Sequence, residues 1–200
     1  MFWDFWIEEF DEKILIDLSF KGICTFKDSK SKKIKILHGN IIEAKNSNEL
    51  KLKTKKSKAN FLILENTNEK MQRIAIKTCS VDAIKAYVDY PAIKEMAEKN
   101  VALLICFSDF LNSKDKSRTL YLMQKSVALA KKYKTPIIIA SGAKNKWELR
   151  SPSELIAFGE MLGLEKNQSK KALYDFQNKI YERETLKKQN KYVQPGVKII

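Results

Sequence analysis

The stretch Thr135–Leu164, TPIIIASGAKNKWELRSPSELIAFGEMLGL, decides how the rest of the chain is read. Pro136 leads into Ile137, Ile138, Ile139 and Ala140, a short apolar run suited to the middle of a parallel sheet. Ser141-Gly142-Ala143 ends the run with small residues that let backbone approach closely. Lys144, Lys146, Trp147 and Arg150 then load the connection with positive charge and one aromatic ring. Ser151-Pro152-Ser153-Glu154 predicts a helix start, with Ser151 as N-cap, Pro152 in the first turn and Glu154 closing a capping box. Leu155, Ile156, Gly159 and Leu162 supply its apolar face, and Gly163 ends it. A strand end followed by a basic loop and a rigid helix start is a good place to hold phosphate. An ordinary solvated connection is the competing reading.

Working outward, apolar strand-like runs alternate with helical patterns. Candidate strands are Met1–Ile7, Ile23–Phe26, Lys33–Ile42, Asn60–Leu64, Arg73–Ile76, Ala83–Val88, Val101–Phe107 and Pro136–Ala140. Candidate helices cover Glu8–Phe20, Ser47–Lys58, Thr67–Met71, Pro91–Asn100, Lys114–Lys134, Pro152–Leu162 and Asn167–Leu186. Such alternation predicts a parallel α/β fold, either doubly wound or a (β/α) barrel. Eight strands favour a compact, somewhat irregular TIM-like barrel. The lack of a glycine-rich phosphate loop after any strand weakens the doubly wound nucleotide-binding alternative. We expect one barrel domain over residues 1–186 and a tail over 187–200.

The chain carries 38 Lys+Arg against 24 Asp+Glu, a formal charge of +14, which favours a polyanionic partner such as nucleic acid. Only Arg73, Arg118, Arg150 and Arg183 are arginines. Where lysine is the default cation, an arginine can mark a site that needs a planar, bidentate donor. Arg183, between Glu182 and Glu184, instead reads as a paired structural residue. Lys170, followed by Lys171, falls in the first turn of the predicted last helix, where a cation is mildly disfavoured and hints at a nearby anion. Trp147 could stack on an unpaired base or simply cover the barrel end. The lysines of Lys51–Lys58 read as a solvated face.

Catalytic signals are sparse. His38 is the single histidine, which excludes multi-histidine metal sites. No GxSxG elbow accompanies it. Asp4, Glu43, Glu65, Asp82, Asp89 and Asp109 lie near predicted strand ends and could build a carboxylate Mg²⁺ site, although no spacing singles out a pair. Cys24, Cys79 and Cys106 are far apart and read as buried, inert thiols. No run is long enough to cross a membrane, and the opening MFWDFWIEEFDEK turns acidic too early for a secretory signal, so a cytoplasmic protein without membrane contact is expected.

The block PIIIASGAKNKWELRSPSELIAFGEMLGL resembles the signature of the archaeal ribonuclease P protein component 3 family. ANFLILENTNEKMQRIAIKTCSVDAI, AEKNVALLICFSDFL and SRTLYLMQKSVALAKKYKTP follow the same register, from about Ala59 to Ile180. The resemblance implies a TIM-like barrel and a non-catalytic subunit of ribonuclease P, whose RNA removes the 5′ leader of precursor tRNA. It implies pairing with protein component 2 in a two-plus-two assembly, beside components 1 and 4. It also implies RNA interaction for Arg73, Arg118, Arg150 and Lys170, with Glu154 as the motif's acidic residue. No cofactor or metal is expected on the protein itself, and Mg²⁺ is expected to serve the RNA. Combined with the residue reading, the expected RNA contacts are Arg73, Arg118, Lys144, Lys146, Arg150, Lys170 and Lys171, supported by Glu154 and Trp147. Arg150, Lys170, Lys144 and Lys146 should meet at one barrel end. The alternatives are a stand-alone barrel phosphoesterase using carboxylates and Mg²⁺, or a general nucleic-acid-binding scaffold.

Overall fold

Seven short parallel strands, paired strictly in chain order, form the centre of the computed structural model. The structure describes residues 2–65, 68–78, 80–85 and 87–189, and the backbone of 192–194 and 197–198. The strands are β1 (Trp3–Ile7), β2 (Gly22–Thr25), β3 (Lys35–Ile42), β4 (Phe61–Glu65), β5 (Ala83–Lys85), β6 (Ala102–Cys106) and β7 (Ile137–Ala140). Helices α1 (Glu12–Asp17), α2 (Ser47–Lys56), α3 (Glu69–Lys77), α4 (Tyr90–Lys99), α5 (Phe107–Leu111), α6 (Lys116–Tyr133) and α7 (Pro152–Met161) fill most of the connections. Then α8 (Lys166–Lys171) and α9 (Asp175–Lys188) follow. A short antiparallel pair, β8 (Tyr192–Gln194) with β9 (Val197–Lys198), lies in the expected tail, part of which is outside the described residues.

An eighth barrel strand is absent among the described residues, and the Arg73–Ile76 run is the interior of α3. A four-residue run with three apolar side chains cannot by itself distinguish strand from helix. Burial of Met71, Gln72, Ala75 and Ile76 follows the helical repeat, and the Asn68 side chain caps the helix by accepting from the Lys70 and Met71 amides. The predicted last helix is also split. Residues 172–174 interrupt it and lend their backbone to barrel closure.

That closure has two levels. Near the carboxyl ends, Ile7 bridges Ala143 and the Glu8 amide donates to Ala143 O at 2.9 Å. Lower down, the Trp3 amide donates to Leu173 O (2.9 Å) and the Ile139 amide to Ala172 O (3.2 Å). Ala172 and Leu173 therefore take the place of an eighth strand between β7 and β1, satisfying amides that would otherwise be left unpaired in the seam.

Alternation along each strand divides the core in two. Trp3, Phe5, Cys24, Leu37, Phe61, Ile63, Leu104 and Ile138 fill the barrel interior, and Phe176 and Ile180 of α9 join them. The outward set, including Ile23, Ile42, Leu64, Ile84, Leu103 and Ile139, packs with the helices. Helix α9 closes the amino end. Its Arg183 donates to Asp82 Oδ1 (2.6 Å) and Asn60 O (2.7 Å), at the feet of β5 and β4. Cys24 and Cys106 are free and buried, and burial pushes both thiols up, consistent with inert packing. Cys79 lies outside the described residues.

Candidate nucleic-acid interface

Beyond β7 the chain stays buried through Ser141, Gly142 and Ala143. Gly142 has φ of +71°, and a Cβ there would run into the Ser108 side chain and come within 2.8 Å of Cys106 Cβ. Glycine is thus required twice over, by conformation and by space. Buried Asp4 fixes the same corner. Its Oδ1 accepts from the Ser141 amide at 3.0 Å and the Trp6 amide at 3.3 Å, while Oδ2 has no hydrogen-bond partner among the described residues. Burial, only partly offset by the bonds to Ser141 and Trp6, raises the Asp4 carboxyl to about 6.

The loop that follows is rigid by its own hydrogen bonds. The Lys144 amide donates to Glu148 Oε2 (3.0 Å), Asn145 Nδ2 donates to Glu148 Oε1 (2.9 Å), and Asn145 Oδ1 accepts from the Trp147 amide (3.0 Å). One 3₁₀ turn, Lys146–Glu148, results, and Leu149 is buried behind it. Trp147 is 79% exposed, against 0% and 4% for Trp3 and Trp6. It therefore covers little of the barrel, and Lys146 Nζ lies over its ring at 5.0 Å.

Arg150 is half-buried and held from two sides. NH1 donates to Trp147 O (3.1 Å) and Leu149 O (2.8 Å), and the guanidinium carbon lies 5.4 Å from the Phe107 ring centre. Its remaining N–H groups have no partner among the described residues. Glu154 does not neutralise it. Glu154 Oε2 accepts from the Ser151 amide (2.7 Å) and hydroxyl (2.8 Å), completing the capping box. The bond from the Ser151 backbone is the main reason this carboxyl is held below its ordinary value. Lys144, Lys146, Trp147, Arg150 and Glu154 thus share one carboxyl-end corner, with no carboxylate in an ion pair with its cations among the described residues.

The other expected contacts stand elsewhere. Arg118 is exposed in the first turn of α6, which follows β6 and α5, and its guanidinium has no partner among the described residues. Arg73 is tied to Asp89, the N-cap of α4, at 2.7 Å. Lys170 does not join Arg150. Helix α8 packs against the later half of α7, where the Ser169 side chain faces Gly159, and Lys171 lines a cavity with Thr135 and Pro136 at the amino edge of β7. Moreover, Lys170 and Lys171 lie in the last turn of a six-residue helix, where cations are favoured, so their position needs no anion to explain it.

The acidic residues are mostly engaged. Lys85 Nζ lies 2.7 Å from Glu65 Oε1, 3.1 Å from Asp109 Oδ1 and 4.4 Å over the Trp6 ring. Asp82 pairs with Arg183. Among the described residues no three His, Cys, Asp or Glu side chains converge as metal ligands. Sequence reading missed Lys85, which sits inside an apolar run. It heads the ion cluster lining a cavity of about 550 Å³ at the carboxyl ends, together with Glu43, Glu65, Tyr87 and Asp109. Among the described residues no helix is long and apolar enough to cross a membrane.

Comparison with known proteins agrees with this architecture. The chain is 27% identical to a ribonuclease P protein component 3 of Methanocaldococcus jannaschii over 178 residues, covering 76% of the chain and 77% of the relative. It is 28% identical to the same component of Methanosarcina mazei over 198 residues, covering 90% and 72%. For two Methanococcus maripaludis relatives the match covers 59% and 66% of their length. A chain in a cryo-EM structure of archaeal ribonuclease P with mature tRNA superposes with a TM-score of 0.85 at 24% identity, covering 99% of this chain and 97% of that one. A histidinol phosphate phosphatase from Lactococcus lactis superposes with a TM-score of 0.51 at 11% identity, covering 81% and 92%. At these identities both superpositions speak for the fold. Residues 14–189 match the sequence profile described as RNase P subunit p30. That match takes in all but the first strand of the barrel, the basic corner and the α9 plug, and the chain belongs to the RNase P subunit p30 family.

Proposed function

We propose that this protein is an RNA-binding subunit of ribonuclease P that assists the catalytic RNA in removing the 5′ leader of precursor tRNA. The observation that carries the reading is the carboxyl-end corner: an exposed Trp147 on a self-braced turn, flanked by Lys144, Lys146 and Arg150, none of them in an ion pair among the described residues. Cations fixed in this way neutralise phosphates and set register, and an exposed indole offers a face for an unpaired base. Arg118 extends the contact along the same end, while Arg73, Lys170 and Lys171 add charge from other faces. Family membership supports ribonuclease P as the RNA in question. The protein acts in the cytoplasm, pairs with component 2 in a two-plus-two assembly, and works beside components 1 and 4. Mg²⁺ serves the RNA.

The deciding experiment is cleavage of precursor tRNA by the cognate ribonuclease P RNA across Mg²⁺ concentration, with this protein plus component 2 and with each alone. The reading expects the pair to lower the Mg²⁺ requirement or speed cleavage, and neither protein to cut without RNA. Cleavage by the protein alone, or no effect of the pair, would overturn it.

A further inference from the structure

The connection from β2 to β3 differs from its neighbours. Residues 26–34 carry the chain back to the amino end of the barrel without a helix, so an ordinary covering element is missing over the outer face of β3. Leu37 points into the barrel, so its neighbours Ile36 and His38 face outward, into the space a helix would fill. The result is a cleft of about 790 Å³ whose lining includes Lys30, Lys32, Lys33, His38 and Lys188, the last from the end of α9.

Its chemistry is one-sided. Glu12 is the single carboxylate in the lining, and none of the four lysines is in an ion pair among the described residues. The His38 ring has no hydrogen-bond partner among the described residues, yet its backbone is fixed. Its N–H donates to Asn60 Oδ1 (2.9 Å), its carbonyl accepts from the Asn60 amide (2.7 Å), and Asn60 O accepts from Arg183. A half-buried His38 on a fixed backbone thus lines the same cleft as four lysines that have no ion pair among the described residues. Ile36 is the one large apolar side chain lining the cleft, which is too little for the apolar centre of a protein–protein contact. Unpaired lysines act as point charges suited to phosphate, without reading bases.

We propose that this cleft is a second RNA-backbone site, in which the lysines and His38 hold phosphates while the Lys144–Arg150 corner holds another stretch. This rests on the reading of the chain as an RNA-binding protein. Strands β3 and β7 lie on opposite sides of the barrel, so the two sites would grip separate RNA segments and make the barrel a bridge between them.

Two intrinsic reporters separate the sites. His38 is the only histidine, so its imidazole NMR signals report the cleft alone. Trp147 is the exposed tryptophan, so acrylamide-accessible fluorescence reports the corner. The intact chain is titrated with a uridylate octamer. The proposal expects the His38 signals to shift and saturate. It expects Lys30→Ala/Lys32→Ala/Lys33→Ala/Lys188→Ala to abolish that shift and lower the salt slope of total binding by about 2–3. The charge-matched Lys51→Ala/Lys55→Ala/Lys56→Ala/Lys58→Ala should leave the shift within about twofold of wild type. Unmoved His38 signals with a responding Trp147 would sink the cleft and leave the corner standing. Shifted His38 signals with an unresponsive Trp147 would do the reverse. No response from either overturns both, and equal losses in the two lysine variants would reduce the cleft to bulk charge.

Discussion

Arg183 of α9 and Asp82 at the foot of β5 are joined by a 2.6 Å hydrogen bond across 101 residues of sequence. Asp82 Oδ2 also accepts from the Leu62 amide at 2.8 Å, and Arg183 NH2 reaches Asn60 O. One ion pair thereby ties the plugging helix to two strands. Removing the guanidinium leaves a partly buried carboxylate and carbonyl without their donor. Arg183→Met should cost about 2–4 kcal/mol, a fall in Tm of roughly 5–12 °C by calorimetry. An unchanged Tm would show that the other attachments of α9, among them Phe176, Ile180 and the bond from Trp3 Nε1 to Asn178, hold it without this ion pair.

Asp4 makes stability depend on pH in an unusual direction. Burial raises its carboxyl to about 6 in the fold, above the ordinary aspartate value of about 4. The native state therefore binds more protons than the unfolded chain between those values, and stability from this group is full below about 4 and lost as pH rises through 6. Asp4→Asn keeps an acceptor for the Ser141 and Trp6 amides while removing the titration. The variant should show a flatter Tm profile between pH 4 and 7, with a change on the order of 2–3 kcal/mol at most. Identical profiles for wild type and variant would refute the assignment.

Gly142→Ala should be poorly tolerated. The new methyl meets Ser108 and must adopt a positive φ. We expect a loss of at least about 2 kcal/mol in denaturant unfolding. In the double variant Gly142→Ala/Ser108→Gly the clash with the Ser108 side chain should be relieved, while the close approach to Cys106 Cβ and a conformational cost of about 1 kcal/mol remain, so the loss should shrink without vanishing. Equal losses in both variants would mean the close approach to Ser108 is not felt.

Trp147→Ala and Arg150→Ala should separate function from folding. Trp147 touches little of the barrel, so its removal should leave stability within about 0.5 kcal/mol. Loss of base stacking should still weaken single-stranded RNA binding by about 1–3 kcal/mol, roughly 5- to 150-fold. Arg150→Ala should lower reconstituted cleavage, with Arg150→Lys only partly restoring it because a guanidinium can spend NH1 on Trp147 O and Leu149 O and still present its other N–H groups, which an ammonium lacks. Wild-type cleavage by a folded Arg150→Ala protein would exclude the corner as a working contact.

The amino-acid sequence by itself determined the local rules. The apolar run 137–140, the Ser151 capping box with Glu154 and the alternation of strands and helices all follow from short-range sterics and hydrogen bonding, and all are present. The basic character of the 144–150 loop and the excess of lysine were likewise visible without coordinates, whereas the hydrogen bonds that brace that loop were not. Only tertiary structure decided how the barrel closes, because Ala172 and Leu173 replace a strand through amides that carry no sequence signature. It also turned Arg73–Ile76 into a helix, since so short a run, with three apolar side chains, takes whichever period its neighbours bury. The break after Lys171 moved Lys170 from the first turn of a long helix to the last turn of a short one, away from Arg150. Charge composition says that cations are abundant. Which of them lack an acidic partner depends on contacts between residues up to 101 positions apart, as Arg183 and Asp82 are, and that pairing exists only once the chain has folded.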